Sequence, residues 1–224
     1  MSTANTAPTG ADLARFIDHT LLRADATPAE IEKICDEALA HSFKAVCVNP
    51  IFVPLVAKKL AGSDVATCSV ICFPFGADPT AAKVAEAAWV VSHGAQEVDM
   101  VIAIGLLKAG QTNAVRDDIA AVKEACGSAL LKVIIETSLL SDAQKETACL
   151  LAKDAGADFV KTSTGFAGGG ATEADVALMR RTVGPEMGVK ASGGVRTRQD
   201  AQAMIAAGAS RIGASASIAI VSER

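Results

Sequence analysis

The chain has 224 residues and a formal net charge of -4 at pH 7; half of it is hydrophobic, only 4% is aromatic, and it contains no tyrosine. That length holds one core rather than two full domains, and the interspersed charges leave no extended basic face for a nucleic-acid backbone. No apolar run reaches the roughly 20 residues of a membrane helix, and neither the six cysteines nor the three histidines have zinc-ligand spacing, so nucleic acid, membrane and metal are not expected as partners.

Residues 1–10 are small, polar and uncharged, without the basic and apolar blocks of a secretory signal. They are expected to be a flexible tail ahead of a single domain over 11–224, in a cytoplasmic protein whose cysteines are reduced core thiols. Short runs rich in Val and Ile then alternate with longer stretches carrying helix signals. The strands predicted in chain order are Phe16 to Leu22, Lys44 to Asn49, Ala66 to Phe73, Gln96 to Ile102, Leu130 to Thr137, Asp158 to Ser163, Met187 to Ser192 and Arg211 to Ala214.

Between them, Thr27-Pro28-Ala29-Glu30 and Ser141-Asp142-Ala143-Gln144 read as capping boxes, and Asp78-Pro79, Thr172 and Thr197 as further helix starts. Gly62, Gly94, Gly156 and Gly208 stand where helices should stop. Eight evenly spaced units, each with a start or stop signal, favour a closed α/β architecture, the TIM (β/α)8 barrel, over an open doubly wound sheet.

A weak repeat sets the register. Gly94, Gly156 and Gly208 each precede a strand, and five residues beyond them stand Asp99, Lys161 and Gly213. If these strands are equivalent, the three residues share one level near the C-terminal strand ends, the face on which barrels of this kind carry chemistry. Cys47 falls at a similar level, with Ser42 in place of the glycine.

Lys161 ends an apolar strand, Phe159-Val160-Lys161, and Lys190 ends the next, Gly188-Val189-Lys190. A lone lysine there would snorkel outward. Two on adjacent strands, with partial desolvation, disfavour the ammonium form and yield an amine able to attack a carbonyl. Asp99 reads either as a counter-ion or as the carboxylate that moves protons during imine formation, and Asp18 from the first strand joins the same polar group. His19, flanked by Asp18 and Thr20, reads as a satisfied structural histidine. The glycine-rich turns at Gly165, at Gly193-Gly194 and at Gly213-Ala214-Ser215 follow the last three strands, where barrels bind phosphate with backbone amides.

Taken together, Ile17-Asp18-His19-Thr20-Leu21-Leu22, Cys47-Val48-Asn49-Pro50, Glu97-Val98-Asp99-Met100-Val101, Lys161-Thr162-Ser163-Thr164-Gly165-Phe166, Val189-Lys190-Ala191-Ser192-Gly193-Gly194-Val195-Arg196 and Arg211-Ile212-Gly213-Ala214-Ser215 closely resemble the deoxyribose-phosphate aldolase family across nearly the whole chain. The resemblance implies reversible cleavage of 2-deoxy-D-ribose 5-phosphate to D-glyceraldehyde 3-phosphate and acetaldehyde, without a cofactor, in a homo-oligomer (dimer or tetramer). It assigns Lys161 as the Schiff-base lysine, Lys190 as the lysine that perturbs it and Asp99 as the proton-transfer carboxylate. Asp18, Thr20, Cys47, Thr164, Gly165, Gly193, Gly194, Gly213 and Ser215 complete the set expected around the substrate and its phosphate. Ala216 stands where many members have a second serine, and Phe166 where some have a lysine.

Overall fold

The computed structural model describes residues 10–222. The expected tail lies outside the described residues except for Gly10, which opens the short helix α1 (Gly10–Ala14). Eight parallel strands close in sequence order into a barrel: β1 (Ile17–Leu21), β2 (Ala45–Val48), β3 (Ala66–Ile71), β4 (Glu97–Val101), β5 (Leu130–Ile134), β6 (Phe159–Lys161), β7 (Gly188–Ser192) and β8 (Arg211–Ala214). The connecting helices are α2 (Pro28–His41), α3 (Val53–Leu60), α4 (Thr80–Ser92), α5 (Ile104–Lys108), α6 (Thr112–Cys126), α7 (Asp142–Asp154), α8 (Glu173–Val183), α9 (Arg198–Ala206) and α10 (Ser217–Ser222). Among the described residues no helix is long and apolar enough to cross a membrane.

Local chemistry accounts for the helix starts. Thr27 and Ser141 form the two capping boxes read from the sequence, Thr197 closes a third with Asp200, and the Thr172 side chain accepts from the Asp175 amide. Each such cap contributes about 1 kcal/mol by satisfying an amide that the first helical turn leaves open. The start expected at Asp78-Pro79 is corrected: α4 begins at Thr80, behind Pro79, with no side-chain cap bond. The Thr80 hydroxyl donates to Asp118 Oδ1 instead, at 2.8 Å.

Six strands, β1 to β6, end before their predicted bounds, and for β3 and β5 the reason is shared. Cys72 (φ 45°) and Glu136 (φ 56°) adopt left-handed backbone, which a continuing strand does not tolerate, so β3 stops at Ile71 and β5 at Ile134.

The register converts the closed sheet into layers. Asp99 pairs with Lys132 while Lys161 pairs with Ile134, so stepping two strands round the barrel advances the level by two residues. The same step leads from Lys161 to Gly213, from Gly213 to Cys47 and from Cys47 back to Asp99. Cys47, Asp99, Lys161 and Gly213 therefore form one layer of four from alternate strands, the stacking characteristic of such barrels. Beneath it lies a layer of Asp18, Cys68, Lys132 and Lys190, and beneath that one of Ala45, Glu97, Phe159 and Arg211. The intervening residues, such as Val46, Val98, Leu131, Val160, Val189 and Ile212, point outward into a continuous apolar shell beneath the helices.

Candidate active site

A cavity of about 490 Å³ opens at the C-terminal mouth of the barrel, lined by the loops after β1, β6, β7 and β8. Lys161 lines it from β6, 3% exposed. The turns expected to receive phosphate meet on its other side: Thr164, Gly165, Gly193, Gly194, Gly213 and Ser215 all border the cavity, as do Thr20 and Arg196. Gly193 and Gly194 both have φ of +83°, a backbone that L side chains rarely adopt, and Gly193 also lies against Gly170. Gly213 is needed for space, since a Cβ there would come within 2.9 Å of Ser192 Cβ and 3.1 Å of Lys190 Cε.

A second cavity, of about 640 Å³, lies over the loops after β2 and β3 and is bordered by Phe73 and Phe75 but not by Lys161. Phe73, on this second cavity, meets Phe166, on the first, edge to face at 5.3 Å.

The polar centre lies beneath the mouth. Asp99 Oδ2 accepts from Lys161 Nζ at 2.7 Å and from Lys190 Nζ at 2.8 Å, while its Oδ1 accepts from Lys132 Nζ at 2.8 Å. Lys190 also donates to Asp18, which Arg211 approaches at 2.5 Å. Glu97 closes the network, 2.7 Å from Lys132 and 2.9 Å from Arg211.

Burial alone would raise Asp18 and Asp99, but the surrounding cations outweigh it. Lys190, Arg211 and Lys132 hold Asp18 below the usual carboxylate range, and Lys132, Lys161 and Lys190 hold Asp99 well below it. Burial likewise opposes the charges of Lys132 and Lys190, yet Asp99 acting on the first and Asp18 on the second keep both lysines raised and protonated. Three carboxylates thus face Lys132, Lys190 and Arg211, and Lys161 is the fourth amine or guanidine of the cluster, the one that borders the cavity.

Not every expected contact reaches the mouth. Asp18 lies one layer below and is occupied by Lys190 and Arg211, so it holds the cluster rather than bordering the cavity. Cys47 is fully buried beside Cys68, whose hydrogen bond lowers the Cys47 thiol against the effect of burial; burial pushes Cys68 itself well up. The thiols of Cys47 and Cys68 and the Asp99 carboxylate lie within 4.8 Å of one another, but the Lys132 ammonium stands 3.4 Å from Cys68 Sγ and 2.8 Å from Asp99, so an amine already fills the cation position there. His19 faces outward from the barrel, between Glu37 at 2.7 Å and Ser217 at 2.9 Å, as its structural reading anticipates.

Lys132, Arg211, Glu97, Cys68 and Glu136 were given no role in the site from the sequence. Lys132 interrupts the apolar run Leu130-Leu131-Lys132-Val133-Ile134, five residues after the helix-stop Gly127, so the Gly-plus-five pattern would have found it. Glu97 stands two residues before Asp99 and shares its face by strand alternation.

The sequence pattern described as "DeoC/LacD family aldolase" matches residues 13–222. A deoxyribose-phosphate aldolase of Rhodospirillum rubrum is 74% identical over 221 residues, covering 98% of this chain and 93% of that one. One from Brevibacillus brevis is 57% identical over 210 residues, covering 94% and 95%. Among solved structures, the tetrameric deoxyribose phosphate aldolase of Aeropyrum pernix superposes with a TM-score of 0.89 at 35% identity, covering 95% of this chain and 91% of that one.

Proposed function

The chain belongs to the DeoC/LacD aldolase family, whose lyase chemistry it shares as a class I deoxyribose-phosphate aldolase, and from that premise we propose how its residues divide the reaction. Lys161 is the Schiff-base lysine. One observation carries this assignment: among the described residues Lys161 is the lysine that borders the mouth cavity, and it shares Asp99 Oδ2 with Lys190, whose ammonium form Asp18 and Asp99 favour.

Lys132, Lys190 and Arg211 pair with the three buried carboxylates from within the barrel, and Lys161, which shares Asp99 with Lys132 and Lys190, is the amine of the cluster that faces the cavity.

In the cleavage direction the Lys161 amine adds to the C1 aldehyde of the open-chain sugar. The carbinolamine loses water as Asp99, 2.7 Å from Nζ, takes and returns protons. The protonated imine then withdraws electrons: the C3 hydroxyl gives up its proton, the C2–C3 bond breaks, and glyceraldehyde 3-phosphate departs. Its bonding pair remains as the enamine of the C1–C2 fragment, which is protonated at C2 and hydrolysed to acetaldehyde, restoring the amine. Lys190 keeps Asp99 charged and oriented and is not itself consumed. The amides around Gly165, Gly193, Gly194 and Ser215, with Arg196 nearby, hold the phosphate and so position C1 over Lys161.

The protein works in the cytoplasm as a homo-oligomer, dimer or tetramer, a reading supported by the tetrameric Aeropyrum pernix relative. Borohydride reduction in the presence of acetaldehyde, followed by peptide mapping, tests the assignment: an ethyl group on Lys161 with loss of activity is expected, and labelling confined to other lysines contradicts it.

A further inference from the structure

We propose that Glu136 is a positioning residue that fixes the Thr164-Gly165-Phe166 turn so that the Gly165 amide faces the substrate's phosphate, an inference that rests on the phosphate site proposed above. The backbone places it there. Beyond β5, the Ile135 amide donates to Lys161 O at 3.0 Å and the Thr137 amide to Thr162 O at 2.9 Å. Two residues of one strand extension thus match a single step of the other, and Glu136 is the extra residue of a bulge, at φ 56° and ψ 70°. A non-glycine residue in that conformation costs on the order of 1–3 kcal/mol and persists only where its surroundings hold it.

Its side chain shows what holds it. Glu136 is 1% exposed, and its Oε2 accepts both the Thr164 amide, at 3.1 Å, and the Thr164 hydroxyl. With its hydrogen directed at the carboxylate, that hydroxyl accepts the Phe166 amide at 3.0 Å. The amides on either side of Gly165 are thereby drawn inward, whereas the Gly165 amide makes no backbone hydrogen bond among the described residues. With Gly165 at φ +83° on the cavity wall, an anion in the cavity is the acceptor such an amide would take. Glu136 Oε1, Thr137 Oγ1 and Ser163 Oγ, all along this seam, are buried and have no hydrogen-bond partner among the described residues. The carboxylate touches neither the imine nor the phosphate and acts through Thr164.

The decisive quantity is the ratio of kcat/KM for 2-deoxyribose 5-phosphate to that for unphosphorylated 2-deoxyribose. In Glu136→Ala the ratio should fall about tenfold or more, chiefly through KM for the phosphorylated sugar, because misplacing one charge-assisted amide contact is of that order. Glu136→Gln keeps an oxygen acceptor for Thr164 and should stay within about threefold of the wild type. If Glu136→Ala does not fold, Thr164→Val against Thr164→Ser decides on the same ratio, with loss expected only where the hydroxyl is removed. A folded Glu136→Ala that loses both substrates equally, or keeps the wild-type ratio, overturns the positioning role and leaves the phosphate site standing. A wild type that makes no distinction between the two sugars overturns the phosphate site and this inference with it.

Discussion

The two faces of the barrel strands obey opposite rules although they alternate along the same residues. On β4, Val98 and Met100 point into the apolar shell, whereas Glu97 and Asp99 point into the barrel among amines and a guanidinium. The shell is stabilised by area removed from water, roughly 25 cal/mol per Å², and tolerates exchange among aliphatic side chains of similar volume. The interior consists of charges whose desolvation is offset only by one another, so each member depends on its partners. The β2–β3 side of the interior differs again, being thiol and alkyl: Ala45, Cys47, Cys68 and Val70 cluster there. The charge is thus concentrated on the remaining strands, where Lys161 meets the cavity.

The largest expected effect separates Lys161 from its neighbours. Lys161→Met should lower kcat by about 10⁴-fold or more, the scale on which loss of a nucleophile is felt. Its urea midpoint should change little, because the remaining three cations still balance three carboxylates. A folded Lys161→Met enzyme retaining a tenth of its activity would place the imine elsewhere.

The next effect contrasts the two faces at neighbouring positions of β5. Lys132→Met strips Asp99 and Glu97 of a shared cation and should destabilise by about 3–5 kcal/mol, the cost of an uncompensated buried charge. Leu131→Ala, on the shell side, should cost about 2–5 kcal/mol through its cavity. What distinguishes them is pH: the Lys132→Met loss should shrink as the solution is acidified toward the range where carboxylates protonate, and the Leu131→Ala loss should not. Equal pH dependence of the two unfolding free energies would show that the interior network does not act through charge.

A smaller effect falls on the thiol side. Cys47 shares the layer of Lys161 and Asp99, and its thiol is lowered by its bond from Cys68, which favours attack on a conjugated aldehyde admitted through the mouth. Cys47→Ala should inactivate several-fold more slowly than wild type in such an aldehyde, measured as the half-life of activity. Equal half-lives make the thiol a bystander.

Much of this division was legible in the sequence. Eight strands, their order and the barrel followed from periodicity and punctuation, because capping boxes and helix-stop glycines act locally and need no partner. The shared level of Asp99, Lys161 and Gly213 followed from counting beyond a repeated glycine, and the register places Cys47 in the same layer. The depth of each charge did not follow: Asp18 and Cys47 were expected among substrate contacts, yet both are buried beneath the mouth. Lys132 and Arg211 were missed because a charge within or opening an apolar strand reads as an edge or surface feature until the opposing carboxylates are known. Glu136 was hidden for another reason, since its left-handed backbone is set by the β5–β6 seam and by nothing in its immediate neighbours.

The central claim is that Lys161 forms the imine beside an Asp99 that Lys190 holds charged and oriented, and Lys190→Leu tests it most directly. Without Lys190, Asp99 Oδ2 is left to Lys161 alone, and the carboxylate that moves protons during imine formation loses one of the cations that hold it in place. The measurement is the rate of acetaldehyde trapping at Lys161 by borohydride, in the folded variant against wild type. The account predicts trapping slowed about tenfold or more, since a misplaced proton-transfer group is felt on at least that scale. A folded variant that traps acetaldehyde at Lys161 at the wild-type rate contradicts it.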